Sequence, residues 1–216
     1  MASKGAIRGK HAHSFAKRAR KTDFQAIMKE HVAPLVRKGD AVADLCTGSG
    51  QIIPHIIRKA GSLTAVDASD EMINILSRSY RKNPKVKVIK ADAARTWLPE
   101  RFFDIVTFTF SLHHIKEGEE VLHEAARILK PCGKLILVDM VFKGRWYHKI
   151  YEPFWRISKA IKQGWHEMHC AYRDEKAVEE LIRNAGFRIM KKRRMKRCRK
   201  GYRDKVYPTF LYELER

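Results

Sequence analysis

From residue 40 onward the apolar positions fall into short runs, separated by stretches with helical spacing. Ala41-Val42-Ala43-Asp44-Leu45 reads as a first strand, opened by Gly39-Asp40. Gln51 to Ala60 reads as a helix, with Pro54 in its first turn, where a missing N–H costs little, and Gly61 at its end. Ser62 to Asp67 is a second strand. Ser69 caps the next helix, which carries Asp70 and Glu71 in its first turn, where the dipole favours negative charge, and runs to Lys82. Val86 to Ile89 and Asp104 to Phe110 are the third and fourth strands. Glu117 to Leu129 is a helix stopped by Pro131 and Gly133, and Lys134 to Met140 is a fifth strand. Strands that alternate with helices predict an α/β fold with a doubly wound, mostly parallel sheet.

The pattern changes after Met140. Residues 145–172 are rich in Trp, Tyr, His and Lys and show mixed periodicity. Asp174 caps a short helix that Gly186 stops. Phe187 to Met195 and Tyr207 to Glu215 are strand candidates joined by a basic loop, expected to pair as an antiparallel hairpin at the sheet edge. Ahead of residue 40, an amphipathic helix is expected from Asp23, preceded by a basic arm over residues 1–22. Residues 23–216 therefore read as a single domain, with an insertion at 141–186 and the hairpin at 187–216.

Charge adds a second layer. The formal net charge is +21. Residues 41–140 are nearly balanced, with 14 Lys and Arg against 12 Asp and Glu. Residues 1–40 carry 10 against 3 and residues 188–216 carry 12 against 3, so the excess sits at the two ends. That distribution favours an anionic partner, whether nucleic acid such as RNA, an acidic membrane surface or an anionic substrate, over a plain solvated surface. No apolar run reaches the roughly 18 residues of a membrane span, and the first residues lack the apolar core of a secretory signal. The cysteines, Cys46, Cys132, Cys170 and Cys198, form no CxxC pair. A cytoplasmic setting, with a peripheral membrane position open to the basic ends, is the expectation.

The segment Asp44-Leu45-Cys46-Thr47-Gly48-Ser49-Gly50 is a strand that ends in an acid and turns tightly into a helix. Gly48 and Gly50 permit backbone angles and close approach that a Cβ forbids, and the helix N-terminus points N–H groups into the crevice. Asp67 ends the next strand, where a ribose diol is bound in doubly wound sheets. A dinucleotide fingerprint needs a third glycine where this chain has Ile53, and it has no use for the acid. S-adenosylmethionine (SAM) carries an ammonium group that Asp44 favours, directly or through water.

These segments resemble the motifs of class I SAM-dependent methyltransferases. Asp44 to Gly50 resembles their first motif, and Val66-Asp67-Ala68-Ser69-Asp70-Glu71-Met72 their second. Asp92-Ala93, followed by Leu98-Pro99, resembles the segment that meets the adenine. Phe103 to Val106, Ser111 to Ile115 and Arg127 to Leu135 stand in the family's order and spacing. The Cys-Thr-Gly-Ser-Gly form is most similar to the ubiquinone/menaquinone C-methyltransferase group, although the Tyr of that group's N-terminal pattern is Thr22 here. Cys46 and Cys132 stand where the family usually has glycine. The resemblance implies a Rossmann-like, seven-stranded fold. It implies that SAM is held by Asp44, Cys46, Thr47, Gly48, Gly50, Asp67, Ala68, Met72, Asp92, Ala93, Phe110 and Ser111.

Methyl transfer from a sulfonium is an in-line displacement, governed largely by positioning. A base is needed only when the acceptor must lose a proton. His113 and His114 follow the fourth strand, at the carboxyl edge where the crevice lies, and are the candidates. His166-Glu167-Met168-His169-Cys170 offers a His-x-x-His pair without an identifiable third ligand, so no metal is expected. Together with Trp146, Tyr151, Trp155 and Trp165 it reads as a lid over the acceptor pocket. The expected activity is methyl transfer to a small molecule, lipid-soluble (quinol or phospholipid-like) or anionic. The alternatives are RNA methylation, with the basic hairpin tracking phosphates, and a non-catalytic SAM-binding protein.

Overall fold

The computed structural model describes residues 23–141, 173–195 and 208–216. The basic arm, most of the 141–186 insertion with its His166–Cys170 cluster, and the loop at 196–207 lie outside the described residues.

Seven strands form one sheet in the order β3-β2-β1-β4-β5-β7-β6. They are β1 (Ala41–Leu45), β2 (Ser62–Asp67), β3 (Val86–Lys90), β4 (Phe103–Thr109), β5 (Leu129–Met140), β6 (Arg188–Met195) and β7 (Thr209–Glu215). The first five are parallel, whereas β7 pairs antiparallel with both β5 and β6. The hairpin is thus present, but its second strand lies inside the sheet and its first at the edge. The reason lies in the side chains. In β7, Thr209, Phe210, Leu211 and Tyr212 are all buried, so this strand needs cover on both faces and a neighbour on each side. β6 exposes Arg188, Lys191 and Arg194, which suits an edge.

Two apolar layers sandwich the sheet. On one face, α4 (Gly118–Ile128) and α5 (Glu175–Asn184) pack Val121, Leu122, Ala125, Val178 and Ile182 onto Leu45, Phe108, Leu137 and Tyr212. On the other, α1 (Asp23–Ile27), which continues as wider turns over Met28–Val32, packs with α2 (Ile53–Ile56) onto Val42, Ile105 and Leu211. The third helix along the sheet, α3 (Asp70–Tyr80), adds Leu76 to that face.

Several boundaries differ from expectation. α2 starts at Ile53 and not Gln51, because the Gly50 turn extends through Gln51 and Ile52. β5 begins at Leu129, whose N–H still bonds to Ala125 O of α4, and its pairing with β4 resumes at Lys134 beyond a bulge. Gly61 does not serve a left-handed helix end. A Cβ there would lie 2.4 Å from Gly39 O, so the residue permits close backbone approach. Among the described residues no helix is long and apolar enough to cross a membrane.

Candidate active site

The carboxyl ends of the parallel strands form the crevice, and β1 supplies its first acid. Asp44 is buried, with Oδ2 accepting from Thr47 Oγ1 at 2.5 Å and Oδ1 from Thr107 Oγ1 of β4 at 2.7 Å. Burial pushes its carboxyl up to about 6 against the pull of both hydroxyls, and Asp67 adds to the rise. Each oxygen accepts one of these hydroxyls and keeps further acceptor capacity, and the carboxylate charge favours a cation beside it.

The loop after Asp44 is laced onto β2. Thr47 N donates to Val66 O at 2.9 Å, Gly48 N to Asp67 Oδ2 at 2.8 Å, and Gly50 N to Thr47 O at 2.9 Å. Gly50 has φ +75°, and a Cβ on it would lie 2.6 Å from Leu76 Cδ2. Cys46 has φ +53°, a left-handed conformation that glycine adopts without strain. Burial pushes the Cys46 thiol up, and the carboxylates of Asp67, Asp44, Asp92 and Asp139 push it further. A thiol so held stays protonated, so Cys46 is a structural member of the loop and not a nucleophile.

Those same four carboxylates gather at the carboxyl side of β2, β1, β3 and β5, with Asp44 and Asp139 buried beneath the surface. A crevice of that charge suits a cationic ligand. Asp67, half-buried at the end of β2, is aimed by backbone N–H groups: Gly48 N bonds Oδ2 and Ser69 N bonds Oδ1 at 2.9 Å. Burial raises its carboxyl, partly offset by N–H groups of Ser69, Gly48 and Ala68. Ser69 caps α3 as expected, accepting from Met72 N at 3.4 Å, while the Met72 side chain is buried. Asp92 is exposed and accepts from Ala94 N at 3.0 Å, with Ala93 buried beside it. Buried Ser49 Oγ in the loop has no hydrogen-bond partner among the described residues, an orphan that a polar ligand group would satisfy. The acids, the bare glycine backbone and this orphan hydroxyl fit SAM.

Beyond β4 the chain turns across the crevice. Phe110 has φ +53°, its N–H donates to Val138 O at 2.7 Å, and its ring lies 4.1 Å from that of Phe24 in α1. Ser111 Oγ donates to Thr109 O at 2.9 Å and lies 3.3 Å from Cys46 O, which joins this turn to the cofactor loop. The next turn, Leu112–His114, presents the two histidines differently. His113 is buried. Its Nδ1 lies 2.5 Å from Asp139 Oδ1, and its backbone N–H donates to Asp139 Oδ2 at 3.0 Å. His114 is exposed and stacks on His113 with ring centroids 4.0 Å apart. Arg173 fastens the turn by donating to Leu112 O, Ile115 O and Lys116 O at 2.7–3.0 Å.

Asp139, Thr107 and Arg173 escaped the sequence reading. For Asp139 the signal was present: like Asp44 and Asp67, it is an acid near the end of an apolar strand. Thr107 and Arg173 act across 63 and 61 residues, and nothing local marks them. Among the described residues no cluster of three or more His, Cys, Asp or Glu could hold a metal ion.

Residues 43–137 match the family described as methyltransferase domain. The ubiquinone/menaquinone biosynthesis C-methyltransferase UbiE of Azotobacter vinelandii is 29% identical over 112 residues, 48% of this chain and 44% of that protein. The chain thus spans less than half the length of this curated relative. In Haloferax volcanii, the partner of the Trm112 methyltransferase activator superposes with TM-score 0.75 at 17% identity, over 97% of this chain and 99% of that one. A SAM-dependent methyltransferase from Aquifex aeolicus gives 0.62 at 20% identity, over 92% and 97%. Residues 43–137 of this chain thus carry a methyltransferase domain, on a fold shared with solved SAM-dependent methyltransferases.

Proposed function

We propose that the protein transfers the SAM methyl group to a small acceptor whose attacking atom must shed a proton, a quinol or related phenol in chemical class. The His113–Asp139 pair carries this reading. With Nδ1–H donating to Asp139, Nε2 is the basic nitrogen of the ring. His113 sits two residues past Ser111, which touches the cofactor loop, so the base and the donor share one wall. Bound SAM supplies an electrophilic methyl on a sulfonium. His113 Nε2 would take the proton that the acceptor carbon or oxygen sheds on methylation. Arg173 and Asp139 hold the turn. The curated relative's action in ubiquinone and menaquinone biosynthesis supports the acceptor class.

A second reading, RNA as acceptor, draws on one observation. β6 ends at Met195 and β7 begins at Thr209 on the crevice edge, so the basic run from Lys196 to Lys200 attaches there. A SAM-dependent activity screen against quinols, phenols, phospholipids and RNA separates the two. With the active acceptor in hand, His113→Ala and Asp139→Asn are expected to lower kcat by about 100-fold or more while SAM affinity holds. Unchanged kcat in both would overturn the base assignment.

A further inference from the structure

The near-balance of charge within residues 41–140 hides a separation in space. The crevice edge gathers Asp44, Asp67, Asp92 and Asp139, while the opposite edge, where the parallel strands begin, is basic. The chain enters each of β1 to β6 past a cation: Lys38, Lys59, Lys85, Arg101, Lys130 and Arg188. Five of these are exposed; Asp104 pairs with Lys130 at 2.7 Å, and Glu215 at the end of β7 lies 4.0 Å from Arg188, so the edge carries acids too but in the minority. At the same edge a cleft of about 300 Å³ opens between the C-terminal ends of α4 and α5, lined by Arg101, His123, Arg127 and Arg216 and by one carboxylate, Glu100, which lies 3.6 Å from Arg127. Arg127 is fixed at its rim by Glu124 at 2.7 Å. The chain flanking all three undescribed segments lies on the crevice side, so none of them attaches at this edge.

We infer that this amino edge binds a nucleic-acid backbone, single-stranded RNA in the first instance. Seven strands at about 4.8 Å spacing make a row of roughly 30 Å, the length of several successive phosphates. The cleft has room for one phosphate, which Arg101 and Arg216 are placed to meet, since Arg127 is already held by Glu124 and Leu98 O. Exposed Phe102, beside Arg101, offers a stacking face for a base. A bilayer fits less well. It would turn the crevice away from a lipid-soluble acceptor.

The test is binding of a labelled single-stranded RNA oligomer of mixed sequence across a salt series. Wild type is expected to show a log–log salt slope of about −3 to −4, for some five phosphates. The reversal Lys38→Glu, Arg101→Glu, Arg188→Glu is expected to weaken RNA binding at least tenfold and flatten the slope by about two, with SAM affinity unchanged. Reversal of Lys196, Arg197 and Arg199 is expected to leave most of the affinity. Photo-crosslinking of wild type, with the RNA-bearing peptides identified, is expected to mark the segment around Arg101 and Phe102 whatever the variants do. Crosslinks confined to residues 196–205, loss of binding only in the second variant, or binding to phosphatidylserine vesicles without binding to RNA would each overturn the proposal. Because SAM affinity is read separately, a failure here leaves the methyltransferase reading intact.

Discussion

Donor binding is expected to turn on Asp67. Two backbone N–H groups aim its carboxylate, and its half-buried position leaves it access to the crevice. Asp67→Ala is expected to weaken SAM binding by about 1–3 kcal/mol, the loss of charge-assisted hydrogen bonds, as measured by calorimetry; unaltered affinity would remove Asp67 from the site. Asp44 makes binding sensitive to pH. Its folded carboxyl is raised to about 6, above the unfolded range, so the folded protein holds this proton more tightly. The group therefore opposes folding at pH above 6, and this cost is relieved as pH falls from about 6 toward 4. A cation in the crevice favours the ionised form, so the sign reverses for binding. SAM affinity is expected to fall by up to about tenfold per unit as pH drops below 6, with proton release on binding near pH 6. A flat profile, or one that persists in Asp44→Asn, would assign the effect elsewhere.

Among elements, the strap before β4 depends on one buried acid. Glu124 of α4 accepts from Thr96 N at 2.9 Å, from the Thr96 hydroxyl, and from Arg127 Nε at 2.7 Å, while the Arg127 guanidinium also donates to Leu98 O at 2.8 Å. Glu124→Ala strands Thr96 N and part of Arg127, and is expected to cost about 2–4 kcal/mol in denaturant unfolding. A cost under about 0.5 kcal/mol would show that water replaces the carboxylate. Elements with a strong local signature were legible in the sequence: β1 and β2 as apolar runs, α3 from Ser69 and its two acids, the end of α5 from Gly186. Those set by tertiary partners were less so. The entry of β5 overlaps the last bond of α4, and β7 takes its inner place only because β6 is too basic to be covered. In the site, the loop glycines and Asp67 were readable from spacing, whereas the His113–Asp139 contact joins residues 26 apart through the sheet.

At the scale of the whole molecule, fold direction and charge reinforce one another. α3, α4 and α5 start at the crevice edge with acids in the first turn and finish at the opposite edge with Arg78, Arg127 and Arg183 in the last. Each such placement suits its own helix dipole, and parallel winding adds them into one molecular polarity. A net charge of +21 also repels itself in the folded state. Tm is therefore expected to rise by a few degrees between about 0.05 and 0.3 M sodium chloride, as screening relieves the crowded amino edge. A fall in Tm would mean that the screened ion pairs outweigh this repulsion.

Cys132 occupies a left-handed turn with φ +65° at the start of β5, exposed on the amino edge. Its thiol is an attachment point supplied by the native sequence, a strand's length away from the methyl-transfer chemistry. With Cys170 and Cys198 changed to serine, a fluorophore coupled there would brighten or quench as a polyanion arrives, while turnover at the far edge proceeds undisturbed. The two faces of the molecule can then be watched separately, in one sample and at the same time.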